Sequence, residues 1–182
     1  VYDGNANATS TGLTYALSGL VGNDMVTLKK DMAAASYVDK GAGNNKTVNI
    51  TGLSLEGPAK ANYMLTAAKT TGNITAKELS VSATGKITKT YDGKTEASLA
   101  GIQFGLDGIL SNDKVALAGT ATGIFNDKNA GAGKKVSITG FSLSGADQGN
   151  YVLPVSAIEK SGDITARDLN IRVENRKKEK GE

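Results

Sequence analysis

The carboxylates Asp3, Asp24 and Asp39, with Asp92, Asp113 and Asp127 about 89 residues later, are the first residues whose type and spacing invite chemistry. Such oxygens bind calcium when they alternate within one loop, and a pair of them flanking a cleft hydrolyses glycosides. Here each acid stands alone beside Gly, Asn or Lys, so turn formation is the expected role. Modules this small also leave little room for a glycosidase cleft. Gly41-Ala42-Gly43-Asn44-Asn45-Lys46-Thr47 looks at first like a phosphate loop. That motif needs Gly directly before the Lys and a helix after it, whereas Asn45 precedes Lys46 and an alternating strand follows. The second copy, Gly131-Ala132-Gly133-Lys134-Lys135, lacks the hydroxyl residue, and a flexible turn is expected in both places.

The chain contains no Cys and no His. No thiolate is available as nucleophile or ligand, and the commonest general base near neutral pH is absent. The reading is therefore non-enzymatic, with no catalytic residue, no metal ligand set and no cofactor. Two modifications remain as expectations. Sequons at Asn7, Asn45, Asn49 and Asn73, all in the first copy, are candidate glycosylation sites. Lys40/Lys128 and Lys46/Lys134 recur and are candidates for Lys-to-Asn isopeptide bonds, although solvated lysine is the commoner fate.

The elements that would position these residues are repeated. Val1-Tyr2-Asp3-Gly4 returns as Thr90-Tyr91-Asp92-Gly93, and Asn23-Asp24 returns as Asn112-Asp113. Asp39-Lys40-Gly41-Ala42-Gly43 matches Asp127-Lys128-Asn129-Ala130-Gly131, and Asn62-Tyr63-Met64-Leu65 matches Asn150-Tyr151-Val152-Leu153. Ile74-Thr75-Ala76-Lys77-Glu78-Leu79 matches Ile164-Thr165-Ala166-Arg167-Asp168-Leu169. Small length differences between these blocks fall where surface loops tolerate them. Tyr2 pairs with Tyr91, Tyr15 with Phe104, Tyr37 with Phe125 and Tyr63 with Tyr151, which leaves Phe141 opposite Leu53. In a chain without Trp, rings at repeated positions are expected to fill cores.

Val48-Asn49-Ile50-Thr51 and Val136-Ser137-Ile138-Thr139 place apolar groups at every second residue, the period of a half-buried strand. No sustained helical period appears. Asp3-Gly4 and Asp92-Gly93 are strong turn dipeptides. The fold class expected is all-β, as two tandem immunoglobulin-like β-sandwich modules over 1–85 and 86–173, with β-grasp-like modules as the alternative. Asp147-Gln148-Gly149-Asn150-Tyr151 supports the sandwich, because it resembles a tyrosine corner whose hydroxyl bonds backbone upstream. With little free linker between modules, a fairly stiff rod is expected. A charged, flexible tail is expected over 174–182.

The formal net charge of +3 lies mostly in the region from Arg172 to Glu182, where five basic residues face three acidic ones. The modules thus lack the concentrated basic face of a nucleic-acid binder. No apolar run approaches the roughly 20 residues of a transmembrane helix, so no membrane insertion is expected.

The series Lys89-Thr90-Tyr91-Asp92-Gly93, Asn112-Asp113, Phe125-Asn126-Asp127-Lys128-Asn129-Ala130-Gly131, Gly149-Asn150-Tyr151 and Gly162-Asp163-Ile164-Thr165 resembles the YDG repeat. Repeats of that family occur in large bacterial surface proteins, notably filamentous-haemagglutinin-like adhesins exported by two-partner secretion. The resemblance implies a secreted, cell-surface β module of a Gram-negative bacterium, monomeric and without enzymatic activity, that acts as an extended stalk or spacer in cell adhesion. Its partners would be neighbouring repeats and, through the parent adhesin, a host-cell surface protein or glycan. The alternative is a module that itself contacts a host glycan or protein through loops that differ between copies, such as Tyr15 to Val21 or Pro58 to Ala61.

Overall fold

The computed structural model describes residues 1–154 and 157–174, so the charged tail lies, beyond Glu174, outside the described residues. Those residues form strands and two single 3₁₀ turns, with no α-helix, and the fold is all-β. The chain divides into two compact units. The first comprises Val1–Ser80, Leu106–Ala118 and Ser142–Pro154; the second comprises Val81–Gly105, Gly119–Phe141 and Val155–Glu182. The folded unit and the sequence repeat are therefore different objects. The first unit holds most of the first copy together with two pieces of the second.

The first unit contains a four-stranded antiparallel sheet in the order Asn7–Ala8, Ala34–Tyr37, Gly43–Thr51, Ala68–Ile74. Strand alternation sorts its faces. Val48 and Ile50 turn inward with Ala35, and Tyr15, Tyr37 and Leu53 pack against them. Asn7, Ser36, Asn49 and Lys69 form one cross-strand rung on the opposite face. Two short hairpins belong to the same unit: Thr27–Lys29 with Ser54–Glu56 from the first copy, and Ala116–Ala118 with Ser142–Ser144 from the second. A second core gathers Tyr2, Ile74, Leu79 and Tyr151, with Leu106, Val115, Leu143 and Leu153 around them.

The second unit repeats the sheet as Glu96–Ala97, Thr122–Phe125, Gly131–Thr139, Ala157–Thr165, and adds Ile87–Thr90 in parallel to the last. Val136 and Ile138 are fully buried with Ile87, Phe125 and Ile164. Burial of one such aliphatic side chain stabilises by about 2 kcal/mol. The strand Ser80–Thr84 pairs with Gln103–Asp107.

In both copies a glycine follows the long central strand at positive φ, Gly52 at 73° and Gly140 at 92°. A Cβ there would stand 2.0 Å from the Met32 carbonyl oxygen or 2.2 Å from that of Thr120, so the corner admits only glycine.

The glycine-rich segments that resemble phosphate loops are not free turns, as the sequence suggested. Gly43–Thr51 and Gly131–Thr139 are strands from their first residue, with a register shift between Gly43 and Lys46 and again between Gly131 and Lys134. The extra residue of each bulge aims a backbone donor sideways. Asn45 N–H donates to Asn73 Oδ1 at 2.8 Å, and Gly133 N–H donates to Asp163 Oδ1 at 2.8 Å. Those N–H groups are spent on side chains of the neighbouring strand rather than on an anion.

Candidate functional site

Among the repeated acids, four behave as the sequence suggests. Asp3, Asp39, Asp92 and Asp127 each accept the backbone N–H two residues on, closing an Asx turn. Asp39 and Asp127 also meet Lys46 and Lys134, the latter pair at 2.6 Å. These lysines, candidates for a covalent bond to Asn, have carboxylates as their ion-pair partners. The hydrogen bonds and ion pairs hold both Asp carboxyls below their usual range.

Asp24 and Asp113 differ. Asp113 sits at the end of a turn closed by its own N–H on the Leu110 carbonyl, 3.0 Å. Its side chain is 3 % exposed, and Oδ2 accepts hydrogen bonds from two phenols, Tyr151 at 2.7 Å and Tyr2 at 2.8 Å. Lys40 Nζ lies 3.8 Å from Oδ1. The Tyr2 and Tyr151 rings meet edge to face, centroids 5.5 Å apart and planes at 77°.

Each group is delivered by a short element. Tyr2 is pinned by its N–H on the Thr75 carbonyl, 2.8 Å. Tyr151 follows the 3₁₀ turn Gln148–Asn150, and its hydroxyl accepts the Leu110 N–H at 3.1 Å. The hydroxyl thus bonds backbone 41 residues upstream, not the few residues that separate the partners in a tyrosine corner. Asp147, part of the same motif, accepts the Lys114 N–H at 2.8 Å. Ala59 occupies its place in the first copy, yet the turn Lys60–Asn62 still forms. The loop carrying Lys40 is fixed as well: Ala42 N–H donates to Asn150 Oδ1 at 2.9 Å.

The electrostatics are those of a clamp. Burial first, and the Asp113 carboxylate second, push both phenols up to about 12. The hydrogen bonds from Tyr151 and Tyr2, with Lys40 behind them, hold the Asp113 carboxyl below its ordinary range. At neutral pH the phenols stay protonated and the carboxylate ionised, so the cluster keeps fixed donors on a fixed acceptor. It joins Tyr2, Lys40 and Ala42 of the first copy to Asp113, Asn150 and Tyr151 of the second, all within the first unit.

The first copy carries half of the same constellation. Tyr63 O–H donates to Asp24 Oδ2 at 2.6 Å and accepts the Val21 N–H at 2.9 Å, and the Asp24 hydrogen bond raises the phenol pKa. No second phenol reaches Asp24 among the described residues. Beside Tyr63 an open groove of about 460 Å³ is lined by Tyr15, Leu17, Val26, Leu55 and Leu65. The expected binding segment from Tyr15 to Val21 runs along it.

Of the sequon residues, Asn7, Asn45 and Asn73 are exposed and Asn49 is half-buried on the polar rung. The structure brings all four onto the first unit's sheet and its edges. No group of three or more acidic residues able to hold a metal occurs among the described residues. Among the described residues no helix is long and apolar enough to cross a membrane.

Asp24 and Asp113 do close turns, as the sequence suggests, through their N–H groups on the Val21 and Leu110 carbonyls, but the clamp made by their side chains was not foreseen. A signal was present: Asp and Tyr recur 39 residues apart in the first copy and 38 in the second. A family model described as the YDG domain matches residues 1–72 and again 75–158. No curated protein and no solved structure matches the chain.

Proposed function

The chain belongs to the YDG domain family, and from that premise we propose that it is a non-enzymatic repeat segment of a secreted bacterial surface adhesin, acting as a stalk or spacer in cell adhesion. The parent would be of the filamentous-haemagglutinin-like kind exported by two-partner secretion, and the segment would lie at the cell surface. One observation carries this reading. Tyr2 of the first copy is buried against Asp113 and Tyr151 of the second inside one folded unit. Consecutive repeats are thus tied by a shared core rather than by a free linker, as in an array whose stability rests on contacts between neighbouring modules.

The receptor-binding part would then lie elsewhere in the parent, and the host partner, a surface protein or glycan, would be reached through it. The test is binding by the isolated chain to host cells and to a glycan array. A spacer shows no saturable signal. Saturable binding lost on substitution in the segments Tyr15 to Val21 or Pro58 to Ala61 would replace the spacer reading with a binding module. Surface labelling of intact cells of the source organism checks the location.

A further inference from the structure

The two copies of one recognition pattern stand in opposite states. In the second copy it is filled. The strand Lys77–Glu78 lies parallel to Tyr151–Val152, Leu79 N–H donates to the Val152 carbonyl at 2.9 Å, and Ser80–Thr84 pairs with Gln103–Asp107. Leu79 is 2 % exposed, inserted among Leu106, Val115, Leu143, Tyr151 and Leu153. In the first copy the equivalents of those five residues are Leu17, Val26, Leu55, Tyr63 and Leu65, and they line the open groove. Its edge is bare: residues 14–18 and 63–65 form no strand, and Met64, the counterpart of Val152, is 91 % exposed.

The matching insert is also present and unused. Arg167-Asp168-Leu169-Asn170-Ile171-Arg172-Val173 is the counterpart of the strand beginning at Lys77, and it has no strand partner among the described residues. Leu169, Ile171 and Val173 alternate along it at 90 %, 92 % and 89 % exposure. Tyr91, the counterpart of buried Tyr2, has the same backbone anchor, its N–H on the Thr165 carbonyl at 2.8 Å, yet its ring is exposed. Lys128 and Ala130, counterparts of Lys40 and Ala42, are exposed as well.

We propose that the groove beside Tyr63 is an acceptor site for the strand 167–173 of a second copy of this chain, with Tyr91 of that copy completing the clamp on Asp24. Main-chain pairing along an extended strand supplies affinity, and alternate apolar side chains entering pockets supply register. The contact is heterologous, groove to strand, so each copy offers one donor strand and one acceptor groove and the contact can repeat from copy to copy. The proposal deepens the array reading and rests on it for the nature of the partner, another repeat of the same family.

The absence of cysteine makes a register test clean. Val152 pairs with Glu78 in the filled junction, so Met64 should face Asp168 of the next molecule. Paired strands stand about 4.8 Å apart, within disulfide reach. Met64→Cys and Asp168→Cys chains, mixed under mild oxidation, should form a linked heterodimer about tenfold faster than Met32→Cys with Asp168→Cys, the gain expected from docking. The double variant Met64→Cys/Asp168→Cys should give a ladder of multimers. Leu169→Asp with Ile171→Asp, at exposed positions, should return the rate to the control level. Cross-linking no faster than the control, or indifferent to those two substitutions, overturns the proposal. Ligand binding by the isolated chain would overturn the spacer reading alone, so the two failures are separable.

Discussion

The filled junction around Asp113 and the open groove beside Asp24 lie in the same folded unit and are built from matching residues. Tyr151 is buried and Tyr63 half-exposed; Asp113 accepts two phenols and Asp24 one. The residue types are the same, so the difference comes from what the chain places against them. In the filled junction the Tyr-Asp-Gly motif of the first copy therefore completes a core supplied largely by the second. The motifs Tyr-Asp-Gly, Asp-Lys-x-Ala-Gly and Ile-Thr-Ala act on the inserting side, and Asn-Asp and Asn-Tyr on the receiving side.

The largest effect that separates the two states should come from Leu79 and its counterpart Leu169. Leu79→Ala removes a side chain buried in the core around Tyr2 and Tyr151 and should cost about 3 kcal/mol. Leu169→Ala, at an exposed position, should stay within about 0.5 kcal/mol of the parent. Urea unfolding of the two variants measures both. Equal losses would mean that strand 167–173 is buried in the dilute chain, and the contrast would disappear.

Next in size is the pair Tyr2 and Tyr91. Tyr2→Phe keeps the edge-to-face ring contact and removes one hydrogen bond to Asp113, for a loss of about 1 kcal/mol, whereas Tyr91→Phe should leave the midpoint unchanged. The same unfolding curves report it. A loss at Tyr91 as large as that at Tyr2 would show that the second motif also has a carboxylate partner.

Much of this fold was legible in the chain, and the illegible part has a definite physical character. Alternation at Val48 and Ile50 marks a strand and the face it buries, because the side-chain period is a property of the strand alone. Asp3-Gly4 marks a turn for an equally local reason. The clamp links Tyr2 to Asp113 across 111 residues, and nothing in the spacing of either motif names the other as partner. The repeat also sets Tyr2 on Tyr91 and invites one role for both, while the structure buries one ring and exposes the other. Asp24 and Asp113 were read as turn residues because Asp beside Asn favours turns; a second partner arriving from the other repeat leaves no local trace.

The pH dependence sharpens the comparison from both sides. Tyr2 and Tyr151 have phenol pKa values raised from 10.0 to about 12, so the folded state holds their protons more tightly than the unfolded chain. That contribution is fully present below pH 10 and is lost as pH rises from 10 toward 12. Asp113 is shifted the other way. Its contribution is present above the ordinary carboxylate pKa of about 3.9 and is lost as pH falls below it. A spectrophotometric titration of the six tyrosines should show Tyr2 and Tyr151 ionising late, together with unfolding. If Tyr2→Phe leaves the number of late-titrating phenols unchanged, Tyr2 is not in the clamp.

The smallest expected effect concerns Tyr15, where the copies differ by a single hydroxyl. The Tyr15 hydroxyl is buried in the first unit with no hydrogen-bond partner among the described residues, while the second copy has Phe104 at the matching position, packed edge to face on Phe141 at 5.2 Å. A buried hydroxyl that has lost its water costs free energy and returns none, so Tyr15→Phe should raise stability by about 1 kcal/mol. Phe104 lies in the copy whose inserted strand is already seated, so seating does not need that hydroxyl. Tyr15→Phe should therefore shift the urea midpoint upward while leaving the rate of Met64→Cys to Asp168→Cys cross-linking as it was. A fall in that rate would mean that the hydroxyl is an unmet contact for the incoming strand, and the open groove would then differ from the filled one in chemistry as well as in occupancy.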